Sequence, residues 1–370
     1  MRVVIDARMY GPRKFTGIGR YIEELIAHLE KLDNENQYIV LLGRTNFTDY
    51  TPAAANFHKI LSPYPHYSLS EQLLMPWQLY RLHADLVHFP NFNAPLLYWR
   101  RRVTTIQDLT TILYASRARP GLVGSLKQLK RLPARLLLWW TSKTSTVIIT
   151  STKYVKTQLE ERYRLPSSRI TVTSLGVTSR PVIEAAEPKL KPSGPFLFYV
   201  GTYYPHKNID RLIEAFAIIS RQLPDLRLVL AGKDDYTYEA VRGQVQRMNL
   251  KEKVLLPGTI SDEELSWYYG HATAYVFPSL SEGFGLPGLE AMAYGTPVLA
   301  ARASCLPEVY GSAAAYFEPY NSQMMAQQII VILEDEQELS RLGAAGRTQV
   351  KGYSWETLAK LTLGVYRSLG

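Results

Sequence analysis

Two carboxylates, Glu282 and Glu290, stand eight residues apart in the stretch Pro278-Ser-Leu-Ser-Glu-Gly-Phe-Gly-Leu-Pro-Gly-Leu-Glu-Ala-Met-Ala-Tyr-Gly-Thr-Pro-Val298. Between them lie Gly283 and Gly285, which permit a tight loop whose backbone amides can converge on an anion. An apolar run ending at Phe277 precedes the loop, and a helix is expected to follow, with Pro287 at its first position and Gly295 as its stop. The amides at such a helix start, together with the loop, form an anion cradle suited to a pyrophosphate. A carboxylate on either side of that cradle accepts hydrogen bonds from hydroxyl groups, one on a ribose and one on a second sugar. Alone, two glutamates eight apart would mean nothing; the glycine and proline frame around them gives the spacing its sense.

Further polar residues fall where strands are expected to end. Lys207 lies in Gly201-Thr-Tyr-Tyr-Pro-His-Lys-Asn208, just ahead of a helical run, with Asn208 as an expected N-cap. His206 beside it carries charge only when protonated. Lys233 follows the strand that ends at Ala231-Gly232 and is a second candidate cation. Near the N-terminus, Gly17-Ile18-Gly19 follows the first strand and precedes a helix, a place where a functional turn can sit. Gln107 and Asp108 form a polar pair at another strand end. The sequence has no Asp-x-Asp motif to hold a divalent ion, so no metal and no other cofactor is expected.

These residues must be positioned by alternating strands and helices. Short β-branched runs at Val3–Asp6, Tyr38–Leu42, Leu86–Phe89, Val103–Ile106, Val147–Thr150 and Ile170–Thr173 alternate with helical spacing in the first half. One such helix runs from about Gly17 to Leu32. The pattern restarts with Phe196–Val200, Arg227–Ala231, Val254–Leu256, Ala274–Phe277 and Val298–Ala300, with helices at Ile209–Ser220 and near Tyr238–Met248. Alternation of this kind predicts an α/β fold of two Rossmann-like, doubly wound domains. Residues 1–180 form the first, a proline-rich linker occupies 181–195, and residues 196–354 form the second. Helical spacing over 355–370 suggests a last helix able to return to the first domain. Ligands of such sheets sit beyond the carboxyl ends of the strands, so two facing domains put the site in the cleft between them.

Composition narrows the class. A chain of 370 residues, 46% hydrophobic and 20% charged, suits two folded domains rather than a disordered chain. Its one cysteine, Cys305, excludes an internal disulfide and a cysteine-based zinc site. The opening Met1-Arg-Val-Val-Ile-Asp6 reads as a core strand rather than a signal segment, and a cytoplasmic location is expected. Residues 1–185 hold 25 Lys/Arg against 13 Asp/Glu, whereas residues 186–370 hold 17 against 20, so the first half is the one that faces something anionic.

The segment Ser279…Glu282-Gly-Phe-Gly-Leu-Pro…Glu290-Ala-Met-Ala…Gly295-Thr-Pro-Val298 resembles the E-x7-E signature of retaining GT-B glycosyltransferases (glycosyl transferases group 1). Gly201-Thr…Pro205-His-Lys-Asn-Ile-Asp-Arg-Leu-Ile-Glu-Ala-Phe216 is similar to that family's phosphate loop and helix. Asp6-Ala-Arg…Thr16-Gly-Ile-Gly-Arg-Tyr21, His88-Phe-Pro-Asn91 and Leu306-Pro-Glu308 also match, with bacterial mannosyltransferases of surface-polysaccharide assembly as the nearest subgroup. The resemblance covers nearly the whole chain. It implies that Glu282 contacts the donor sugar and Glu290 the ribose. The amides of Phe284, Gly285 and Leu286 would hold phosphate, and Lys207 would neutralise the leaving diphosphate. Gly201, His206 and Lys233 would line the same donor site, with Gly17 and Gly19 approaching from the first domain. It also implies a GDP- or UDP-sugar donor, GDP-mannose first, transferred with retention to a glycan or lipid-linked acceptor bound by the first domain.

This chain departs from that pattern at Gln107, where the family commonly has a histidine before Asp-Leu, and at His206, which replaces an arginine. Glutamine can hydrogen-bond a sugar hydroxyl but cannot carry a proton. Two alternatives therefore stand beside transfer: a sugar-nucleotide 2-epimerase of the same fold, and a catalytically impaired sugar-nucleotide-binding protein. Nucleic acid is not expected as a partner, because no nucleic-acid module is present. Leu126–Trp140 interleaves Lys127, Lys130, Arg131 and Arg135 with leucines and ends in two tryptophans. That composition suits peripheral contact with an inner membrane face.

Overall fold

A computed structural model describes residues 1–110, 132–178, 185–233 and 236–370. The chain divides into two compact units, one of Met1–Gly176 with Ser354–Gly370 and one of Val177–Tyr353.

The first unit opens with β1 (Arg2–Asp6) and α1 (Pro12–Leu32), followed by β2 (Gln37–Leu42), β3 (Phe57–Leu61), α2 (Leu69–Leu73) and α3 (Met75–Arg81). It continues with β4 (Leu86–Phe89), β5 (Arg102–Thr105), α4 (Leu132–Thr144), β6 (Val147–Thr150), α5 (Lys153–Tyr163) and β7 (Ile170–Val172). All seven strands are parallel, in the order β3-β2-β1-β4-β5-β6-β7. Val3 pairs with Tyr38 on one side and with Leu86 on the other, so the winding reverses between β1 and β4. Every residue of β4 and β5 is buried, as expected of a parallel sheet covered on both faces. α1 begins at Pro12, five residues before the expected start, and buries Tyr21, Ile22, Leu25, Ile26 and Leu29. Burial of this size is worth about 1.5–3 kcal/mol for each large side chain. β3, the edge strand, was not anticipated: Phe-His-Lys-Ile-Leu mixes polar and apolar residues and owes its conformation to pairing with β2.

The second unit runs β8 (Phe196–Val200), α6 (Ile209–Gln222), β9 (Arg227–Ala231), α7 (Tyr236–Arg247), β10 (Val254–Gly258), α8 (Asp262–His271) and β11 (Ala274–Phe277). It ends with α9 (Leu286–Tyr294), β12 (Val298–Ala301), α10 (Leu306–Tyr310), β13 (Ala314–Phe317), α11 (Ser322–Leu333) and α12 (Glu336–Gln349). Its six parallel strands lie in the order β10-β9-β8-β11-β12-β13 and reverse between β8 and β11. β13 too was not anticipated, because two of its four residues are alanines with little strand preference. Residues 181–184 of the proline-rich stretch lie outside the described residues. Beyond them the chain runs along this unit: Ala186 N donates to Glu263 O (3.2 Å) and Tyr268 Oη to Leu190 O (2.7 Å).

The last helix, α13 (Trp355–Arg367), belongs to the first unit. It packs on α1 through a stripe that includes Leu358, Ala359, Thr362 and Tyr366. Ser354 caps it by accepting from Thr357 N, and a side chain at Gly176 would strike the backbone of Trp355.

Candidate active site

In open parallel sheets ligands bind where the winding reverses, beyond the strand carboxyl ends. In the second unit that point lies between β8 and β11, and the glycine-rich loop joins β11 to α9 there. Gly285 caps α9 at φ 92° and ψ 40°, so Leu286 and Pro287 are its first two residues and proline falls second, not first. A Cβ on Gly285 would come within 2.6 Å of Tyr310 Oη, and that hydroxyl donates to Gly285 O. The positive φ and the clash demand glycine, and both contacts make Tyr310, fully buried in α10, the strut under the loop. The ring of Phe284 packs edge-on against Tyr353 at 5.5 Å, so Phe284 has its backbone to offer a ligand. Pro287 has no N–H and Gly288 N donates to Gly285 O (3.2 Å), so the backbone around Leu286 presents the positive end of α9.

Lys207 and Glu282 meet at the same end of the sheet: Nζ lies 2.6 Å from Oε1, with both side chains partly exposed. Glu282 is held by its backbone, its N–H donating to Ser304 Oγ (3.2 Å) and its carbonyl accepting from Cys305 Sγ (3.3 Å). The loop of Lys207 is tied to that of Glu282 because Leu280 N donates to His206 O (2.8 Å). His206 itself is pushed down to about 4 by burial and by the neighbouring Lys207 charge. It is therefore neutral near pH 7 and does not replace the charge of an arginine. Asn208 corrects another expectation. It precedes α6 in the left-handed region, φ 61°, and makes no side-chain cap. Its amide donates to Pro319 O (2.8 Å), and its Oδ1 accepts from Arg211 (2.8 Å). Glu290, one turn into α9, accepts from the buried Tyr269 hydroxyl at 3.2 Å. Gly201 follows β8, where its N–H bonds Ala231 O (3.0 Å), and Lys233 follows β9 with its side chain exposed.

In the first unit, a cavity of about 150 Å³ opens at the carboxyl ends of β4 and β5. Ile18, Tyr67, Pro90, Asn91, Phe92, Thr105, Gln107 and Asp108 line it. Gln107 Nε2 is buried with no hydrogen-bond partner among the described residues, while its backbone carbonyl accepts from Ser151 Oγ (3.2 Å). Asp108 Oδ1 takes the Thr110 N–H at 2.9 Å, closing a local turn. Gly17 and Gly19 do not form a loop: both lie inside α1, whose first turns carry Ile18 to the cavity. A side chain on Gly19 would meet Gly11 O at 2.3 Å, so its smallness lets α1 lie against the preceding turn. His88 is a core residue. Its Nε2 pairs with Thr105 Oγ1 (2.8 Å) and its Nδ1 with Tyr366 Oη (2.6 Å), and burial pushes it down to about 3.

Sequence reasoning missed a buried ion network at the β1/β4 reversal. Arg8 grips Asp6 through two nitrogens (2.7 and 2.6 Å), reaches Glu71 Oε1 at 2.7 Å and donates to Tyr64 O. Asn93, the Tyr67 N–H and, at 3.5 Å, His66 Nδ1 complete the shell of Glu71. The Asp6-Ala-Arg8 motif signalled one side of this network, but nothing in the text names Glu71 as the partner. Tyr310 and Ser304 were missed likewise. Among the described residues, no three His, Cys, Asp or Glu side chains gather to hold an ion, and no helix is long and apolar enough to cross a membrane.

Residues 183–349 match the family described as Glycosyl transferases group 1, and residues 15–179 match Glycosyltransferase Family 4. The O-antigen chain mannosyltransferase B of Escherichia coli is 28% identical over 380 residues, covering 96% of each protein. A sucrose-phosphate synthase from Thermosynechococcus elongatus superposes with a TM-score of 0.78 at 21% identity, over 100% of this chain and 99% of that one. The HepE protein of Anabaena, solved with UDP-glucose, gives 0.72 at 16% identity over the full length of both. At such identities the superpositions speak to the fold. With both halves matched and both sheets wound in this order, the chain belongs to the GT-B glycosyltransferases, its second unit a glycosyl transferases group 1 domain.

Proposed function

We propose that this glycosyltransferase moves a hexose, mannose from GDP-mannose in the first instance, onto a glycan or lipid-linked acceptor with retention and without a metal. The E. coli relative named as an O-antigen chain mannosyltransferase supports the sugar. One observation carries the donor side: Lys207 and Glu282 meet 2.6 Å apart at the strand reversal that also holds the glycine-capped start of α9. A diphosphate competes with Glu282 for Lys207, which frees the carboxylate to accept from a hydroxyl of the transferred sugar. Lys207 and the amides of Phe284, Gly285 and Leu286 then stabilise the charge that grows on the leaving diphosphate, commonly the largest contribution in such transfers. Glu290 accepts from the ribose, and Gly201 and Lys233 line the nucleotide.

In the reaction the acceptor hydroxyl oxygen bonds to the anomeric carbon while the bond from that carbon to the diphosphate breaks. The hydroxyl proton passes to the departing phosphate on the same face. Neutral Gln107 and His206 do not relay it. Gln107, with its unpartnered amide on the first-unit cavity, orients an acceptor hydroxyl beside Asp108. The reaction is assigned to the cytoplasmic face of a membrane.

Calorimetry with UDP, GDP and ADP sugars, paired with detection of a new glycosidic product, tests the reading. Binding of one class by the wild type, and no product from Glu282→Ala, is expected. Failure of every nucleotide sugar to bind would remove it, and a changed free sugar nucleotide without glycosidic product would turn it into epimerisation. Gln107→His lowers turnover if the glutamine is adapted to the acceptor and raises it if it is a degraded base.

A further inference from the structure

The first unit carries an apolar surface that its core does not use. On α2 and α3, Leu69, Leu73 and Trp77 recur every four residues and stand 80%, 53% and 68% exposed. The loop before β5 exposes Leu96, Leu97 and Trp99, and α4 exposes Leu132, Leu136 and Trp139 at helical spacing. These elements are stitched together. Leu96 N donates to Gln72 Oε1 (2.9 Å), Tyr80 Oη donates to Leu97 O (3.1 Å), and Trp99 meets Trp140 edge-on at 4.7 Å. Contiguous exposed apolar surface of this kind marks a contact site rather than chance.

Charge decides what it contacts. From Leu109 to Leu159 the chain has nine Lys/Arg and no Asp or Glu. Arg135 and Lys143 are exposed on the same α4 turns as Leu136 and Trp139, and Arg100 lies over the Tyr80 ring at 5.5 Å. Protein–protein interface cores shed charge, whereas this face interleaves cations with leucine and tryptophan, the mixture found at a headgroup boundary. We infer that α2–α3, the 96–100 loop and α4 form one membrane-docking face that lies on an anionic lipid surface. The face extends well beyond the basic segment around α4, of which residues 126–131 lie outside the described residues. It does not rest on the donor assignment.

Flotation of the full-length protein with vesicles tests it, comparing phosphatidylcholine alone with phosphatidylcholine mixed with phosphatidylglycerol. Binding to the anionic vesicles alone, weakened by salt, is expected. Arg135→Ala lowers affinity by about fivefold, and Trp77→Ser or Leu136→Glu by about tenfold or more. Each variant keeps the wild-type urea midpoint and nucleoside-diphosphate affinity, which excludes misfolding as the cause. Absence of binding to either vesicle, or undiminished binding by Trp77→Ser, overturns the proposal. Self-association by light scattering that the same variants abolish would give the face to a second copy and overturn it as well.

Discussion

Two ion pairs follow the first strand of each sheet, and they are built to opposite ends. In the first unit, Arg8 and its partners Asp6 and Glu71 are at most 5% exposed, and Arg8 is engaged through three nitrogens. Burial alone would raise the carboxyl of Asp6, but the adjacent Arg8 charge holds it below its usual range. In the second unit, Lys207 meets Glu282 through one contact, with 18% and 13% of the side chains exposed. The first arrangement is closed to solvent. The second leaves ammonium protons and a carboxylate oxygen for exchange with an incoming ligand. The same fold position thus serves as a buried brace in one unit and, under the proposed function, as a binding pair in the other, and burial of the charges tells them apart.

The comparison can be broken most severely at the carboxylates. Glu282→Ala should lower kcat/KM about 10³-fold or more with little change in unfolding free energy. Glu71→Ala should do the reverse, costing about 1–3 kcal/mol in urea unfolding for each buried donor of Arg8, Asn93 and the Tyr67 N–H that it leaves without an acceptor. Should Glu71→Ala cost no more stability than Glu282→Ala, the distinction fails. Gly285→Ala follows in size: the forced φ and the clash with Tyr310 should cost about 1–3 kcal/mol and most of the donor affinity, read by calorimetry. Lys207→Met should weaken nucleoside-diphosphate binding about tenfold while moving stability by less than about 1 kcal/mol, as partly exposed pairs do.

A pH signature separates the units as well. His88 is held near 3 in the fold against about 6.5 unfolded, so the unfolded chain binds the extra proton. Its contribution is complete above pH 6.5 and declines by about 1.4 kcal/mol per pH unit as pH falls toward the folded value. Urea midpoints of the first unit measured from pH 7 to 5 should follow that slope. His206, held near 4, should leave donor affinity flat between pH 6 and 8, and His206→Asn should not alter the profile.

How much of this was legible depended on how local each feature is. The strands with continuous apolar runs, such as β4, β8 and β11, could be read directly, because a doubly covered parallel strand needs nothing else. β3 and β13 could not, since partner strands override their composition. The glycine-rich loop before α9 could be read as a loop because its parts are contiguous: one carboxylate, two glycines, a proline and a helix. Its strut, Tyr310, lies 25 residues beyond the glycine it supports and has no motif of its own. Gly17 and Gly19 misled in the other direction, since glycine permits a loop but serves a close helix contact equally well. The histidines were legible as residues and opaque as acids, because burial, which sets their protonation, is a property of the folded molecule.

The last helix has a consequence for biosynthesis. Tyr366 on α13 supplies a bond that the buried His88 needs, and Trp355 lies directly on Gly176. The first unit therefore cannot finish its core until α13, encoded after the whole second unit, leaves the ribosome. The second unit, made in between, can be complete while the first still waits, and deletion of α13 would injure the first unit.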